Sequence, residues 1–593
     1  MLRQLIERLT SPQASLYLTG MMFCLPFIVA YHDIPIATFY GEWLAAALGL
    51  LALSGLLDKH FLQNMQIPRI GLVFLVLLFI CNLQLLTDSQ SSPQYGLLIQ
   101  LYLLWAFLLA ILGHYLFQRL GWEKIVNTLA IALVIAAAIN AGFVVLQILQ
   151  KLGFTIPIPK LHSYGMLAQS NQFGDFTALA MASLLYLYAK KRLHARVLTA
   201  GLLTGLLMLS LSGSRSSILY LVAIALLSFL LYMQCRHQAE HASTAKQILN
   251  ISLFLLPFFF LSQLLITAVL PQELVQTPVA RAMDAMGTPS MSLRWQFWQT
   301  SLSLFSQSPW LGIGAGQMRW TTYLLVDQPA INTARIFFEH SHNLLLHLFA
   351  EMGLFAGLAL LSGLTLWAYG FFKKTTLHYE AWWLIGLLSI IGIHSMLEYP
   401  LWYTPFLGIF AFLLGAGEPV SLNLNRLSLS AQRLLKFALV AAIVYGAYQL
   451  YMMQIAYQKL ESQIAVASQI DMSNVEKQTL VEDMIWVNEH SLLAPYAELV
   501  LATYINPNKT LTVIQTKLAE SSLRFIPLRK PALNYVILLE MSDRHTEAIQ
   551  HLNRIWLISG KNLKKDIQQM PLEHQSMLQN LLAEVTLKAA VAK

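Results

Sequence analysis

The chain reads Leu97-Leu98-Ile99-Gln100-Leu101-Tyr102-Leu103-Leu104-Trp105-Ala106-Phe107-Leu108-Leu109-Ala110-Ile111-Leu112-Gly113-His114-Tyr115-Leu116-Phe117 without one charged residue. A helix needs about 20 predominantly apolar residues to cross bilayer hydrocarbon, and this run has that length. Comparable runs lie outward from it at 14–31, 41–57, 69–87, 124–150, 173–189, 197–211, 216–234, 247–270, 341–371, 380–397, 401–417 and 434–455. Only 11% of the 593 residues are charged and 56% are hydrophobic. A soluble domain carries roughly 25% charged residues. The expected fold is therefore all-α: a polytopic helical bundle of about thirteen spans.

The net charge of +8 need not imply a nucleic-acid partner, because much of the basicity sits in short loops between apolar runs. Arg3 and Arg8, Lys59 and Arg69, Arg119 and Lys124 fall on alternate loops. So do Lys190 to Arg192 with Arg196, Arg236 with Lys246, Lys373-Lys374, and Arg426 with Arg433. The loops 32–40 and 87–96 hold no Lys or Arg. Cytoplasmic loops are the ones enriched in Lys and Arg, so the N-terminus is expected inside and the loop before His340 outside. Two outer loops are long, at 151–172 and 271–340, and long loops without regular structure are uncommon unless functional. The membrane domain is expected to occupy 1–456. From 457 to 593 charge density rises and apolar spacing turns amphipathic. Ala532 to Glu540 followed by Arg544 to Ile549 has the look of an antiparallel helix pair of the tetratricopeptide type. That domain is expected on the outer side. Cys24, Cys81 and Cys235 suggest no disulfide framework, and no cleavable signal peptide is evident.

Polar residues at a membrane boundary are expensive, and their default reading is functional. Glu339-His340-Ser341-His342-Asn343 stands where a polar loop enters the run 341–371. Its histidines could be metal ligands, structural groups or a general base. Glu351 and His347, one turn apart, read as a buried structural pair. Upstream, Leu311-Gly312-Ile313-Gly314-Ala315-Gly316-Gln317-Met318 allows a tight turn or a close ligand approach at Gly314 and Gly316, and lacks the Lys-Ser/Thr of a P-loop. Arg215, after Ser212-Gly213-Ser214, is either an interfacial arginine or an anion site. Arg294, in Ser292-Leu293-Arg294-Trp295-Gln296-Phe297-Trp298, reads equally as an interfacial residue or an anion ligand. Together the two arginines favour a pyrophosphate site. Gln169-Ser170-Asn171-Gln172 suits sugar hydroxyls or phosphate oxygens, and loop solvation explains it as well. Glu398, beside the helix-breaking Pro400, is a candidate acid partner or an interfacial cap.

The segment from Trp310 to Gly357, with Leu-Gly-Ile-Gly-Ala-Gly-Gln-Met, Glu-His-Ser-His-Asn, Glu351-Met-Gly353 and Gly357, resembles the Wzy/WaaL superfamily of O-antigen polymerases and ligases. Gly165-Met166-Leu167-Ala168-Gln169-Ser170-Asn171 resembles the first-loop motif of PglL-type O-linked protein oligosaccharyltransferases. His394-Ser395-Met396-Leu397-Glu398-Tyr399-Pro400 resembles the start of their C-terminal region. The likeness runs in patches from His162 to Pro405. It implies a multi-pass protein of the Gram-negative inner membrane that moves a preassembled glycan from undecaprenyl pyrophosphate to Ser or Thr of periplasmic proteins such as pilins. It makes His342 the base and puts Arg215 and Arg294 on the pyrophosphate. Gln169, Asn171, Gly314, Gly316, His340 and Glu398 are expected to bind substrate. No metal or cofactor is expected. The chain departs from the family where Ser170 replaces a usual Pro, and where His162 and Ser163 stand near a usual Arg. Competing readings are an O-antigen ligase or polymerase with a sugar acceptor, and a lipid-linked glycan transporter; the latter should show internal repeats and broken helices at the bilayer midplane.

Overall fold

A computed structural model describes every residue except 1–6, 9, 87–91, 159–163, 168, 239–240, 272–276, 279–289, 333, 468–471, 561 and 592–593. The first-loop positions His162 and Ser163 and most of 272–289 therefore lie outside the described residues. The helices are α1 (Pro12–Met22), α2 (Phe39–Ala52), α3 (Lys59–Gln63), α4 (Gly71–Leu86), α5 (Pro93–Lys151), α6 (Ser170–Ala189), α7 (Ala195–Ser212), α8 (Ser217–Cys235) and α9 (Ala242–Val269). Then come α10 (Ser290–Gln307), α11 (Met318–Leu324), α12 (Leu344–Lys374), α13 (Tyr379–Ser395), α14 (Thr404–Gly417) and α15 (Leu429–Ala467). The C-terminal helices are α16 (Asn474–His490), α17 (Ala494–Tyr504), α18 (Thr512–Phe525), α19 (Arg529–Met541), α20 (His545–Ser559), α21 (Asn562–Gln568) and α22 (Leu572–Val591). One two-stranded ladder joins β1 (Gln66–Pro68) to β2 (Ser421–Asn423) among the described residues.

Seven of these segments are long and apolar enough to cross a membrane: Phe39–Leu57, Pro93–Lys151, Ala195–Ser212, Ser217–Cys235, Ala242–Val269, Leu344–Lys374 and Leu429–Val466. Pro93–Lys151 covers two of the expected runs, since its backbone is non-helical at Gly121. The runs expected at 69–87 and 401–417 form the shorter apolar helices Gly71–Leu86 and Thr404–Gly417. The run at 14–31 yields an 11-residue helix that stops at Met22, followed by a 3-10 turn at Leu25–Ile28. Helix length therefore supports an all-α membrane protein.

The chain divides into two compact units. The first comprises residues 1–76, 102–291 and 359–450. Within it α6 packs against α7, α8 and α13. Buried polar groups in an apolar bundle must pair with one another, because no water is there to pair with them. Helices α6 and α13 do this in antiparallel register. Asn171 Nδ2 donates to Glu398 Oε1 at 2.9 Å, and His394 Nδ1 lies 2.7 Å from Asp175 Oδ2. Trp383 Nε1 donates to Ser183 Oγ at 2.9 Å, and Lys190 Nζ lies 2.7 Å from Glu380 Oε1. Four polar rungs thus run along one helix pair. Apolar side chains such as Leu226, Phe254 and Leu264 are more than half exposed on α8 and α9, the faces a lipid phase would cover.

The second unit comprises residues 77–101, 292–358 and 451–593. In it α16 to α20 pack pairwise in sequence, α16 on α17, α17 on α18, α18 on α19 and α19 on α20, and α22 packs on α20. The expected pair at 532–549 is the contact between α19 and α20. Leu523, Val536, Leu539, Leu552, Ile555, Leu578 and Leu582 form its core, and Trp320 packs against that core. Helix α11 of the 292–358 stretch is therefore docked on the C-terminal helices. Tyr323 Oη meets His551 Nδ1 at 3.2 Å, and Arg554 Nε lies 3.3 Å from Asp327 Oδ2. Burial holds the His551 imidazole down to a pKa of about 4, chiefly by desolvation with Arg554 adding to it. The same burial raises the Tyr323 phenol.

Candidate functional site

The glycine run folds as a turn that crosses a break in α12. At Gly353 the backbone has φ 76° and ψ −171°, outside any helical region. Ile313 N donates to Ala350 O at 2.9 Å, Gly314 N to Glu351 O at 3.0 Å, and Leu354 N to Pro309 O at 2.7 Å. The two strands of chain touch backbone to backbone. A Cβ on Gly312 (φ 71°) would stand 2.3 Å from the Glu351 carbonyl carbon, and one on Gly353 would stand 2.2 Å from Trp310 O. Only glycine serves at these two positions. The Glu351 carboxylate closes the turn, accepting from Gly316 N at 2.8 Å and Met318 N at 2.9 Å. The expected ligand contacts through Gly314 and Gly316 are thereby redirected: their N–H groups serve Glu351, and the turn itself is what the glycines build.

His340-Ser341-His342 forms an irregular strand of chain, without sheet pairing, beside α10. His342 adopts φ 53°, a left-handed conformation that is uncommon outside glycine and is found at functional sites. Its ring stacks on Phe297, with centroids 5.8 Å apart and planes at 20°. Phe297 also stacks on Phe338 at 4.3 Å. Ser341 Oγ and Ser301 Oγ are hydrogen-bonded at 2.8 Å in a buried position. Arg294, Phe297, Ser301 and Leu304 follow each other at helical spacings of three and four, which puts them on one face of α10. Leu304 is buried with Met318, Phe338 and Ala350. The half-buried Arg294 is thus on the stripe that faces the histidine strand.

Helix α11 holds the strand from its other end. Thr322 Oγ1 accepts from Phe338 N at 3.1 Å, and Arg319 is hydrogen-bonded to the Glu339 carboxylate. Arg319 Nη1 also reaches Phe525 O at 3.4 Å, on α18. Glu339 is thus an arginine partner. His340 is 5.4 Å, ring to ring, from His347. Burial first, then the neighbouring His347, Arg319 and His342, holds the His340 imidazole well below its ordinary pKa. It is neutral at neutral pH and so placed to support rather than carry charge. Asn343 Oδ1 accepts from Leu346 N at 3.1 Å, a cap on the start of α12.

The remaining expected residues belong to the first unit. Arg215 follows the left-handed Gly213 cap of α7 (φ 63°) and precedes α8, half-buried; Ser212 Oγ accepts from Ser214 N at 3.1 Å in this turn. Asn171 and Glu398 bind each other, so their expected contacts with substrate compete with an internal hydrogen bond. Gln169 is the half-buried residue that precedes α6. The loop before it is held by residues the sequence reading passed over. Gln147 exchanges hydrogen bonds with both backbone groups of Gly165, at 2.8 and 3.0 Å, and Asn140 Oδ1 accepts from Met166 N at 2.8 Å. Asp175 was also missed. A lone carboxylate inside an apolar run and lone amides in apolar helices were the available signals.

Fold and site together define a helical membrane protein that presents a histidine in a left-handed conformation beside an arginine-bearing helix. The O-Antigen ligase family matches residues 200–361, a span that includes Arg215, Arg294, the glycine turn, His340, His342 and Glu351. The family of the C-terminal part of a virulence factor membrane-bound polymerase matches residues 382–564. The chain is 27% identical over 416 residues to a general O-oligosaccharyltransferase of Acinetobacter baylyi, covering 68% of this chain and 69% of that one. It is 25% identical over 427 residues to a ComP-specific O-oligosaccharyltransferase of the same organism, covering 71% and 74%. These matches identify the chain as a glycosyltransferase that resembles the O-antigen ligases and, among them, the PglL type of O-oligosaccharyltransferases.

Proposed function

We propose that the protein transfers a preassembled oligosaccharide en bloc from undecaprenyl pyrophosphate to a Ser or Thr hydroxyl of a periplasmic protein, a pilin among the candidates. The observation that carries this reading is the placement of His342. It is held in a left-handed conformation, stacked on Phe297, one helical turn from Arg294 on the same face of α10. The acceptor oxygen attacks the anomeric carbon, a C–O bond forms, and its proton passes to the His342 imidazole. The bond from the anomeric carbon to the phosphate oxygen breaks, and its electron pair leaves with the lipid pyrophosphate. A pyrophosphate needs its growing charge neutralised more than it needs an acid, and a guanidinium supplies that through paired hydrogen bonds. Arg294 takes this role; Arg215 offers the same chemistry in the first unit. Attack opposite the leaving group inverts the anomeric centre, and no metal enters any step.

The proposal extends to placement. The alternation of basic loops supports a Gram-negative inner-membrane protein of about thirteen spans with a cytoplasmic N-terminus. The histidine strand and the helices from 457 onward then face the periplasm, where acceptors are folded. The match to an O-Antigen ligase family favours one alternative, transfer to a sugar hydroxyl. Co-expression with a lipid-linked glycan pathway and candidate acceptors, read by intact mass, separates the two. A gain of one whole oligosaccharide on a protein, absent with His342→Ala, is expected. Glycan appearing only on lipopolysaccharide would replace this reading with the alternative.

A further inference from the structure

Glu351 reads from the sequence as half of a structural pair with His347. We infer instead that it is the positioning residue of the transfer site, an assignment that rests on the role of His342 proposed above. Each of its two carboxylate oxygens takes one backbone N–H, from Gly316 at 2.8 Å and from Met318 at 2.9 Å. Its Oε2 also lies 3.1 Å from His347 Nε2. One carboxylate thus ties the glycine turn, the first residue of α11 and the histidine of its own helix into one register. Bonds from N–H to a carboxylate are about twice as strong as neutral ones, so the register is stiff. Gln84 backs it from behind: its Nε2 donates to Glu351 O at 2.8 Å and Leu311 O at 2.6 Å, and its Oε1 accepts from Ala315 N at 3.0 Å.

The register reaches His342 by two routes. Through α11, Thr322 Oγ1 fixes Phe338 N and Arg319 fixes Glu339, the residues just before the histidine strand. Through α12, His347 lies against the His340 ring. A glutamine at 351 has one acceptor oxygen for two N–H donors, and its amide would present a donor to the second. An aspartate is one methylene too short to span both. Either change leaves the glycines in place and frees the end of α11 that anchors the strand.

The test uses the full-length protein in lipid nanodiscs with a lipid-pyrophosphate oligosaccharide and an acceptor protein. A misplacement of about 1 Å can cost on the order of 100-fold in rate, so Glu351→Gln is expected to lose about 30-fold or more in kcat with the donor KM within about twofold. Thr322→Val, isosteric and further from the turn, is expected to lose about 10-fold, and the double variant to be no worse than Glu351→Gln alone, because both act through α11. Glu351→Gln with kcat within about threefold of wild type, or losses that multiply in the double variant, overturns the assignment. If Glu351→Gln does not fold, an unimpaired Thr322→Val overturns it as well. Absence of transfer by the wild-type protein overturns the reading of the reaction itself, and is distinguished by needing no variant.

Discussion

Replacing Gly353 by alanine tests the backbone crossing on which the site is built. A non-glycine residue at φ 76° and ψ −171° carries strain of about 1–3 kcal/mol. The new Cβ would also stand 2.2 Å from Trp310 O and 2.5 Å from Trp310 C. Backbone on both sides cannot yield as a flexible side chain would, so the crossing must open. Three hydrogen bonds then weaken, those from Ile313, Gly314 and Leu354, at about 1 kcal/mol each. The sum is about 4–6 kcal/mol. For a unit of a couple of hundred residues, about 2–4 °C of melting temperature accompanies each kcal/mol, which gives a fall of about 10 °C or more. Differential scanning fluorimetry on detergent-purified protein reads it. Gly142→Ala is the control, since nothing lies within 4 Å of a Cβ there, and a helical Gly→Ala change gains up to about 1 kcal/mol. A Gly353→Ala protein melting within about 2 °C of wild type would refute the crossing as drawn.

His342→Ala is expected to lose about 100-fold or more in transfer rate while keeping its melting temperature, since general-base contributions are of that order; in vitro glycosylation followed by mass spectrometry checks both. Phe297→Ala removes the stacking surface of His342 and is expected to cost about 10-fold in kcat, with the loss vanishing in a His342→Ala background. His551 titrates at about 4 in the folded protein and near 6.5 unfolded, so the unfolded chain binds the proton that the folded chain refuses. Stability is therefore full above about pH 6.5 and falls as pH drops toward 4, by about 2 kcal/mol at pH 5 from this group. Melting curves at pH 7.5 and 5 should show that loss in the wild type and a smaller one in His551→Gln; equal losses would contradict it. Asp175→Ala strands His394 in a buried position and is expected to cost about 3 kcal/mol or more, read as loss of folded protein on size exclusion.

The long apolar runs were legible because a membrane imposes length and composition on a helix directly. The glycine turn and the histidine strand were legible as unusual residues in an apolar setting, and the structure places both in one unit. Less was legible about how they meet. Glu351 and His347 are one turn apart, and that local spacing explained them sufficiently; the contact of Glu351 with Gly316 is a long-range event with no local signature. Phe297 read as one more interfacial aromatic, since its stack on His342 depends on a backbone angle that no sequence pattern reports. The bond from Asn171 to Glu398 joins two motifs that read separately as ligand sites, because pairing across 227 positions is invisible to spacing. The 14–31 run was read as one span, and a proline-led 3-10 turn at Leu25–Ile28 ends its helix early.

The rungs between α6 and α13 carry a consequence for biogenesis. Asp175 and His394 stand 219 positions apart. A ribosome adding about 5–20 residues per second delivers the histidine some 10–40 s after the aspartate. Through that interval a carboxylate waits in a nascent bundle without its imidazole, as does Lys190 without Glu380. The early helices must therefore be sheltered at the insertion machinery, or held shallow, until α13 arrives. A truncation ending before α13 is expected to be cleared by membrane proteases, whereas one ending after Glu398 should persist. The polar rungs thus make the bundle's polar pairing complete only once α13 is in place.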